Sequence, residues 1–133
     1  MELTAGWNLI SLPVSPDDNQ LSSLFPEATV AYKFDETYQP VQQLYPGIGY
    51  WVKVPEDKTY KISGQPFRQY SLELSEGWHL MGALNTGAAP TPADAISAKF
   101  EFEESYIEAD QLTPGKGCWV KILKPCVFSV TSP

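Results

Sequence analysis

The chain repeats itself, and the repeat limits its possible folds more than any other feature. Gly6-Trp7-Asn8-Leu9-Ile10 returns as Gly77-Trp78-His79-Leu80-Met81, at an offset of 71 residues. Pro46-Gly47-Ile48-Gly49-Tyr50-Trp51-Val52-Lys53-Val54 returns as Pro114-Gly115-Lys116-Gly117-Cys118-Trp119-Val120-Lys121-Ile122, at an offset of 68. Phe34-Asp35-Glu36-Thr37-Tyr38 matches Phe102-Glu103-Glu104-Ser105-Tyr106, again at 68. All four tryptophans and six of the nine glycines fall in matched pairs. The shared residues are therefore turn glycines and large aromatics, which a small β fold needs for geometry and core. The 133 residues divide into a first β repeat, 1–64, and a second, 65–133. A unit of that size is marginal alone, and the connection Gln65-Pro66-Phe67-Arg68-Gln69 is short, so the copies should share an extensive interface and form one structural unit.

Each copy reads as five to six strands, so the expected fold is all-β. The arrangement should be pseudo-two-fold, either one sandwich or a pair of small barrels. Thr4-Ala5-Gly6 and Ser75-Glu76-Gly77 look like three-residue hairpin loops with a left-handed glycine. Trp7 to Leu12 and Trp78 to Leu84 follow as strands. The polar stretches near Ser15-Pro16-Asp17-Asp18-Asn19 and Thr91-Pro92-Ala93-Asp94 suit the start of a short helix, at Gln20 to Phe25 and at Ala93 to Ser97. Val30 to Phe34 and Tyr38 to Leu44 are joined by an acidic turn. The Pro-Gly-x-Gly turn leads into Tyr50 to Val54. A last hairpin is expected to lead to Lys58–Ser63, and in the second copy to Cys126–Thr131. Alternation places Tyr50, Val52 and Val54 in the core, with Trp51 and Lys53 on the opposite face. The same holds for Cys118, Val120 and Ile122 against Trp119 and Lys121.

Composition closes off several functions. A net charge of −7 argues against a nucleic-acid backbone or an anionic membrane as partner. No apolar run approaches the roughly 18 residues of a membrane span. The chain enters a structured motif directly after Met1, without the basic and apolar segments of a secretory leader. Thr131-Ser132-Pro133 reads as the start of a linker, as in a domain cut from a longer chain. Cys118 and Cys126 are too few for a disulfide scaffold or a structural zinc site. A tight hairpin between them would put them out of register for a bridge, so free buried thiols are expected, with a bridge as the alternative.

Candidate sites are sparse. His79, the single histidine, stands where the other copy has Asn8 and reads as structural or surface. No nucleophile-elbow motif and no metal-ligand spacing accompanies it. Asp35-Glu36 and Glu103-Glu104 read as solvated turn charge, although paired carboxylates could in principle cleave a glycosidic bond. Asp17-Asp18-Asn19 lacks the ligand spacing of a calcium loop, and Pro46-Gly47-Ile48-Gly49 lacks the lysine and helix of a phosphate loop. No cofactor, metal site or catalytic residue is expected. Trp7 and Trp78 open strands with two apolar faces and are expected in the core. Trp51, Trp119, Tyr38 and Tyr106 lie on faces that also carry polar groups. They are the candidate ligand-binding residues, unless the two Trp rings instead seal the contact between the copies.

These motifs resemble a β module repeated in bacterial and archaeal secreted and surface proteins. The resemblance rests on Gly6-Trp7-Asn8-Leu9-Ile10-Ser11-Leu12-Pro13 and Pro46 to Lys53. It extends over both halves, although the second departs from the pattern at His79, Gly82 and Cys118. It carries no catalytic residues with it. It implies an extracellular or cell-surface location within a larger protein, with neighbouring domains of the same chain as partners. The expected function is a non-catalytic structural or adhesive module, touching a protein or glycan on a surface. The alternatives are a carbohydrate-binding module using exposed Trp and Tyr, and, last, a glycoside hydrolase-like enzyme.

Overall fold

The computed structural model describes residues 1–133 and is all-β. The strands are β1 (Glu2–Leu3), β2 (Gly6–Ile10), β3 (Val14–Ser15), β4 (Val30–Asp35), β5 (Thr37–Val41), β6 (Tyr50–Val54), β7 (Lys58–Thr59) and β8 (Gln65–Pro66). They continue with β9 (Gln69–Leu74), β10 (Gly77–Gly82), β11 (Ile96–Glu103), β12 (Ser105–Glu108), β13 (Gly117–Ile122) and β14 (Cys126–Thr131). One helical turn, α1 (Leu21–Leu24), precedes β4, and a 3₁₀ turn, Ala93–Ala95, precedes β11. Two four-stranded antiparallel sheets dominate, in the orders β2-β6-β4-β5 and β10-β13-β11-β12. The strands at matching places in the two orders carry the matching sequence motifs.

Each sheet has its own core. In the first, Tyr50, Val52 and Val54 pack with Ile10, Leu12, Phe25, Ala31 and Leu44. In the second, Cys118, Val120 and Ile122 pack with Met81, Leu84, Leu112, Phe128 and Val130. Strict alternation along β6 and β13 makes this possible, since each second side chain faces inward.

The expected hairpins differ in a systematic way. β1 does not pair with β2, nor β9 with β10. β1 pairs with β7, and β9 pairs with β14 over six residues, Gln69 to Leu74. The strands after β6 and β13 are thus not hairpin partners of those strands. Gly6 (φ 100°) and Gly77 (φ 120°) turn the chain out of one ladder and into another. Side chains fasten both corners. Asn8 accepts from the Thr4 N–H at 3.0 Å and donates to Thr4 O at 2.9 Å. His79 Nε2 donates to Ser75 O at 2.7 Å. The expected connection at Gln65 also contributes β8, which pairs with β3.

The halves meet through backbone. Ser11 N–H donates to Gly115 O at 3.1 Å, and Gly82 N–H donates to Gly47 O at 3.0 Å. β-bridges join Ile10 to Lys116 and Met81 to Ile48. These contacts relate matched positions in opposite directions. Leu9 and Leu80 are 2% and 4% exposed but belong to neither core. They are buried against the opposite half, next to Gly117 and Gly49. A Cβ on Gly49 would lie 2.8 Å from Leu80 Cγ and 2.9 Å from Met81 O. One on Gly117 would lie 2.8 Å from Ile10 O. Only glycine admits this approach.

Two stability predictions follow. Gly49→Ala and Gly117→Ala should each cost about 1–3 kcal/mol in chemical denaturation, because the clash includes rigid backbone. Glu36 and Glu104, at φ 63° and 65°, occupy left-handed turn positions that disfavour a side chain. Glu36→Gly and Glu104→Gly should each raise the unfolding free energy by about 0.5–1 kcal/mol; an unchanged or lowered midpoint would contradict this.

Candidate functional site

The faces of the two sheets turned away from the cores carry a second set of aromatic residues, distinct from the core rings Phe25, Tyr50 and Phe128. On the first, the β2–β6 register pairs Trp7 with Lys53 and Leu9 with Trp51, and the β4–β6 register pairs Tyr32 with Trp51. The second sheet pairs Trp78 with Lys121, Leu80 with Trp119 and Phe100 with Trp119. The opposing half covers only part of each face. What remains open is a shallow depression on each sheet.

The first depression, about 520 Å³, is lined by Trp7, Tyr32, Tyr38 and Trp51, with Phe102 contributed by the other half. The second, about 470 Å³, is lined by Trp78, Phe100, Tyr106 and Trp119, with Phe34 contributed across the interface. All ten positions correspond pairwise under the sequence offsets. The exchanged rings meet edge to face: Trp51 with Phe102 at 5.1 Å between centroids, and Trp119 with Phe34 at 4.9 Å. Phe34 also contacts Tyr38, at 5.2 Å, and Phe102 contacts Tyr106, at 5.3 Å. Each phenylalanine therefore joins its own tyrosine to the tryptophan of the opposite half. Lys53 Nζ sits 5.8 Å from the Trp7 ring centre, and Lys121 Nζ 5.7 Å from that of Trp78.

The four expected ligand-binding residues divide into two kinds. Tyr38 and Tyr106 are 52% and 56% exposed. Trp51 and Trp119 are half-buried and seal the contact between the halves. The Trp119 indole N–H is buried without a hydrogen-bond partner, so it is not offered to a ligand. The expectation that Trp7 and Trp78 are core fails: they are 41% and 42% exposed. Both faces of β2 are apolar, but the opposite half covers the outer face only as far as Leu9. Trp7 lies beyond that cover, on an edge strand. Sequence reasoning also missed Tyr32, Phe34, Phe100 and Phe102. The signal was the antiparallel pairing of Gly-Trp-x-Leu with Trp-Val-Lys, which sets each opening Trp opposite an exposed lysine.

Of the carboxylates, Glu103, Glu27 and Asp18 have structural partners. Glu103 accepts a hydrogen bond from Lys116 at 2.6 Å, and that ammonium holds its carboxyl below the usual range. Lys58 and Tyr60 engage Glu27, and its pKa is likewise lowered, chiefly by Lys58. Asp18 accepts the Gln20 N–H at 3.0 Å beside α1, which lowers its pKa. Glu2, Glu103 and Glu104 line a larger cleft, about 840 Å³, next to Gly115. Glycosidic cleavage would require a carboxyl held protonated, and the pull of Lys116 on Glu103 is in the opposite direction. No three of the His, Cys, Asp and Glu side chains gather as a metal cage. No helix is long and apolar enough to cross a membrane.

Comparison with family models, curated proteins and solved structures finds no match to the chain.

Both cysteines are free. Cys118 is fully buried, and burial pushes its thiol up to about 12. Cys126 is only half-buried, on β14. A thiol-specific aromatic disulfide at pH 8 should therefore label Cys126 alone in the folded protein and both cysteines after denaturation. Peptide mapping showing native Cys118 labelled at the Cys126 rate would contradict the burial.

Proposed function

We propose that the chain is a non-catalytic adhesive module of a larger secreted or cell-surface protein, with the two aromatic depressions as its contact surfaces. The observation that carries this is the matched exposure of Trp7 with Tyr38 and of Trp78 with Tyr106 on fixed sheet faces. Large exposed aromatics are costly for solubility and are characteristic of contact surfaces. The resemblance of the Gly6–Pro13 and Pro46–Lys53 segments to a surface-protein module supports the location, and makes neighbouring domains of the same chain its first partners.

Carbohydrate binding is the second reading. Flat, open rings suit stacking on the C–H face of a sugar. Against it, only aromatic side chains line either depression, with no carboxamide or carboxylate to bond sugar hydroxyls. The lysines beside Trp7 and Trp78 are the nearest charged donors.

Cells displaying the chain should be retained on protein-coated glass under flow. The double variant Trp7→Ser/Trp78→Ser should reduce retention about tenfold at equal display level and unchanged circular dichroism. Retention no better than an undecorated control would remove the adhesive reading. A saturable hit on a glycan array, with quenching of tryptophan fluorescence, would replace it with the carbohydrate reading.

A further inference from the structure

The aromatic depressions have walls of one chemical kind. Trp7, Tyr32, Tyr38, Trp51 and Phe102 line the first, and no aliphatic, carboxylate or amide side chain joins them. The second is built alike, with Phe100 where the first has Tyr32. Neighbouring rings are inclined rather than stacked. Tyr32 meets Trp7 at 42° and Tyr38 at 72°, and Trp51 meets Phe102 at 70°. In the second half Trp78 meets Phe100 at 42° and Trp119 at 87°. Inclined rings give a shallow depression sides as well as a floor, and the face of each ring carries partial negative charge.

In each half an ammonium group already rests against the outermost tryptophan, Lys53 Nζ at 5.8 Å from the Trp7 ring centre and Lys121 Nζ at 5.7 Å from that of Trp78. Neither lysine lines the depression itself. Each stands beside it, at the margin that Trp7 or Trp78 forms. Walls of this kind discriminate among cations. A primary ammonium or a guanidinium entering the depression gives up hydrogen bonds to water and finds only tyrosine hydroxyls in return. A quaternary ammonium has no N–H to leave unpaired, and its methyl groups pack on ring faces. Cation–π attraction is strongest in that desolvated setting. The missing carboxamide and carboxylate, which count against sugars, therefore suit a trimethylammonium group. The lysine adds a second criterion, an anionic group a few atoms from the ammonium.

We propose that each depression binds the trimethylammonium group of a phosphocholine ester, with its phosphate paired to Lys53 in the first half and to Lys121 in the second. The proposal rests on the depressions being contact surfaces and names the chemistry that they contact. A net charge of −7 opposes an anionic partner but not a zwitterion. Rings and lysine recur together in both halves, so the chain has two sites.

The probe is phosphocholine, titrated into the chain and read by nuclear magnetic resonance at the ring signals of Tyr38 and Tyr106. Both should shift saturably. Phosphoethanolamine, with N–H in place of the methyl groups, should bind about tenfold more weakly, and so should the isosteric phosphate in which carbon replaces the ammonium nitrogen. Trp7→Ser should weaken binding about tenfold at Tyr38 and leave Tyr106 unaffected, which also shows that the variant is folded. Lys53→Gln should weaken phosphocholine about threefold at Tyr38 and leave choline unchanged. No saturation, equal binding of either analogue, or an unaltered Tyr38 response in Trp7→Ser would each overturn the proposal. Equal loss of choline and phosphocholine in Lys53→Gln would overturn the phosphate contact. Phosphatidylcholine vesicles and phosphocholine-conjugated albumin distinguish the sources: binding to the first assigns the group to a lipid, binding to the second alone assigns it to a polymer, and binding to neither overturns the proposal. Retention under flow on choline-free, protein-coated glass reads the adhesive function separately. Retention without phosphocholine binding overturns this proposal alone, and loss of both overturns the two together.

Discussion

The close approach of the two Pro-Gly-x-Gly turns to the opposite half is the contact on which the rest of the molecule depends. Gly49 and Gly117 let backbone meet Leu80 and Leu9 directly. That contact buries the two leucines, which neither core holds. It also delivers Phe34 to Trp119 and Phe102 to Trp51. Without it each sheet would expose a continuous aromatic face, and each core would stand alone at a size where burial barely offsets chain entropy. The interface thus stabilises the halves and, by stopping short of Trp7 and Trp78, also decides which rings stay outside.

Much of this was legible in the sequence. The offsets at Trp7/Trp78 and Trp51/Trp119 located the equivalent strands, and the alternation of Tyr50 to Val54 separated the core face from the other. Strand partners were not legible. Thr4-Ala5-Gly6 has the length and glycine of a hairpin loop, yet Gly6 directs the chain between ladders instead. Local turn chemistry specifies a bend, whereas partner choice depends on long-range pairing that a single window cannot show. The failure at Trp7 has the same origin. Its face was assigned correctly as apolar, but its burial depends on how far the other half extends.

Where the halves differ, the differences follow local function. Ser11 is fully buried, donating to Lys116 O at 2.7 Å and accepting the Ala83 N–H at 3.0 Å. Its counterpart Gly82 has no room for a side chain, since a Cβ would lie 2.8 Å from Gly47 C. One side of the interface therefore has a polar clasp and the other only backbone contact. Asn8 and His79 perform one task with different chemistry, each tying its corner to the chain four residues earlier. What Asn8 and His79 share is a side-chain group that can reach that backbone carbonyl.

The two depressions are best considered as one surface. Phe34 touches Tyr38 in the first and Trp119 in the second, and Phe102 links Tyr106 to Trp51 in the same way. Rings held edge to face at both ends have little freedom to reorient, so a partner would meet preformed surfaces and pay little ordering entropy. As a contact surface, a single shallow aromatic dish would bind weakly, because it would bury little area. Two on one rigid body make the second contact intramolecular, which can add roughly two to four orders of magnitude in avidity for a partner presenting repeated sites. A dense surface offers such repetition, whereas a lone small molecule does not. The net charge of −7 acts in the opposite sense, limiting self-association of the exposed rings. On the proposed adhesive reading, this geometry would favour weak, paired and well-oriented contacts that gain strength where the partner is itself multivalent.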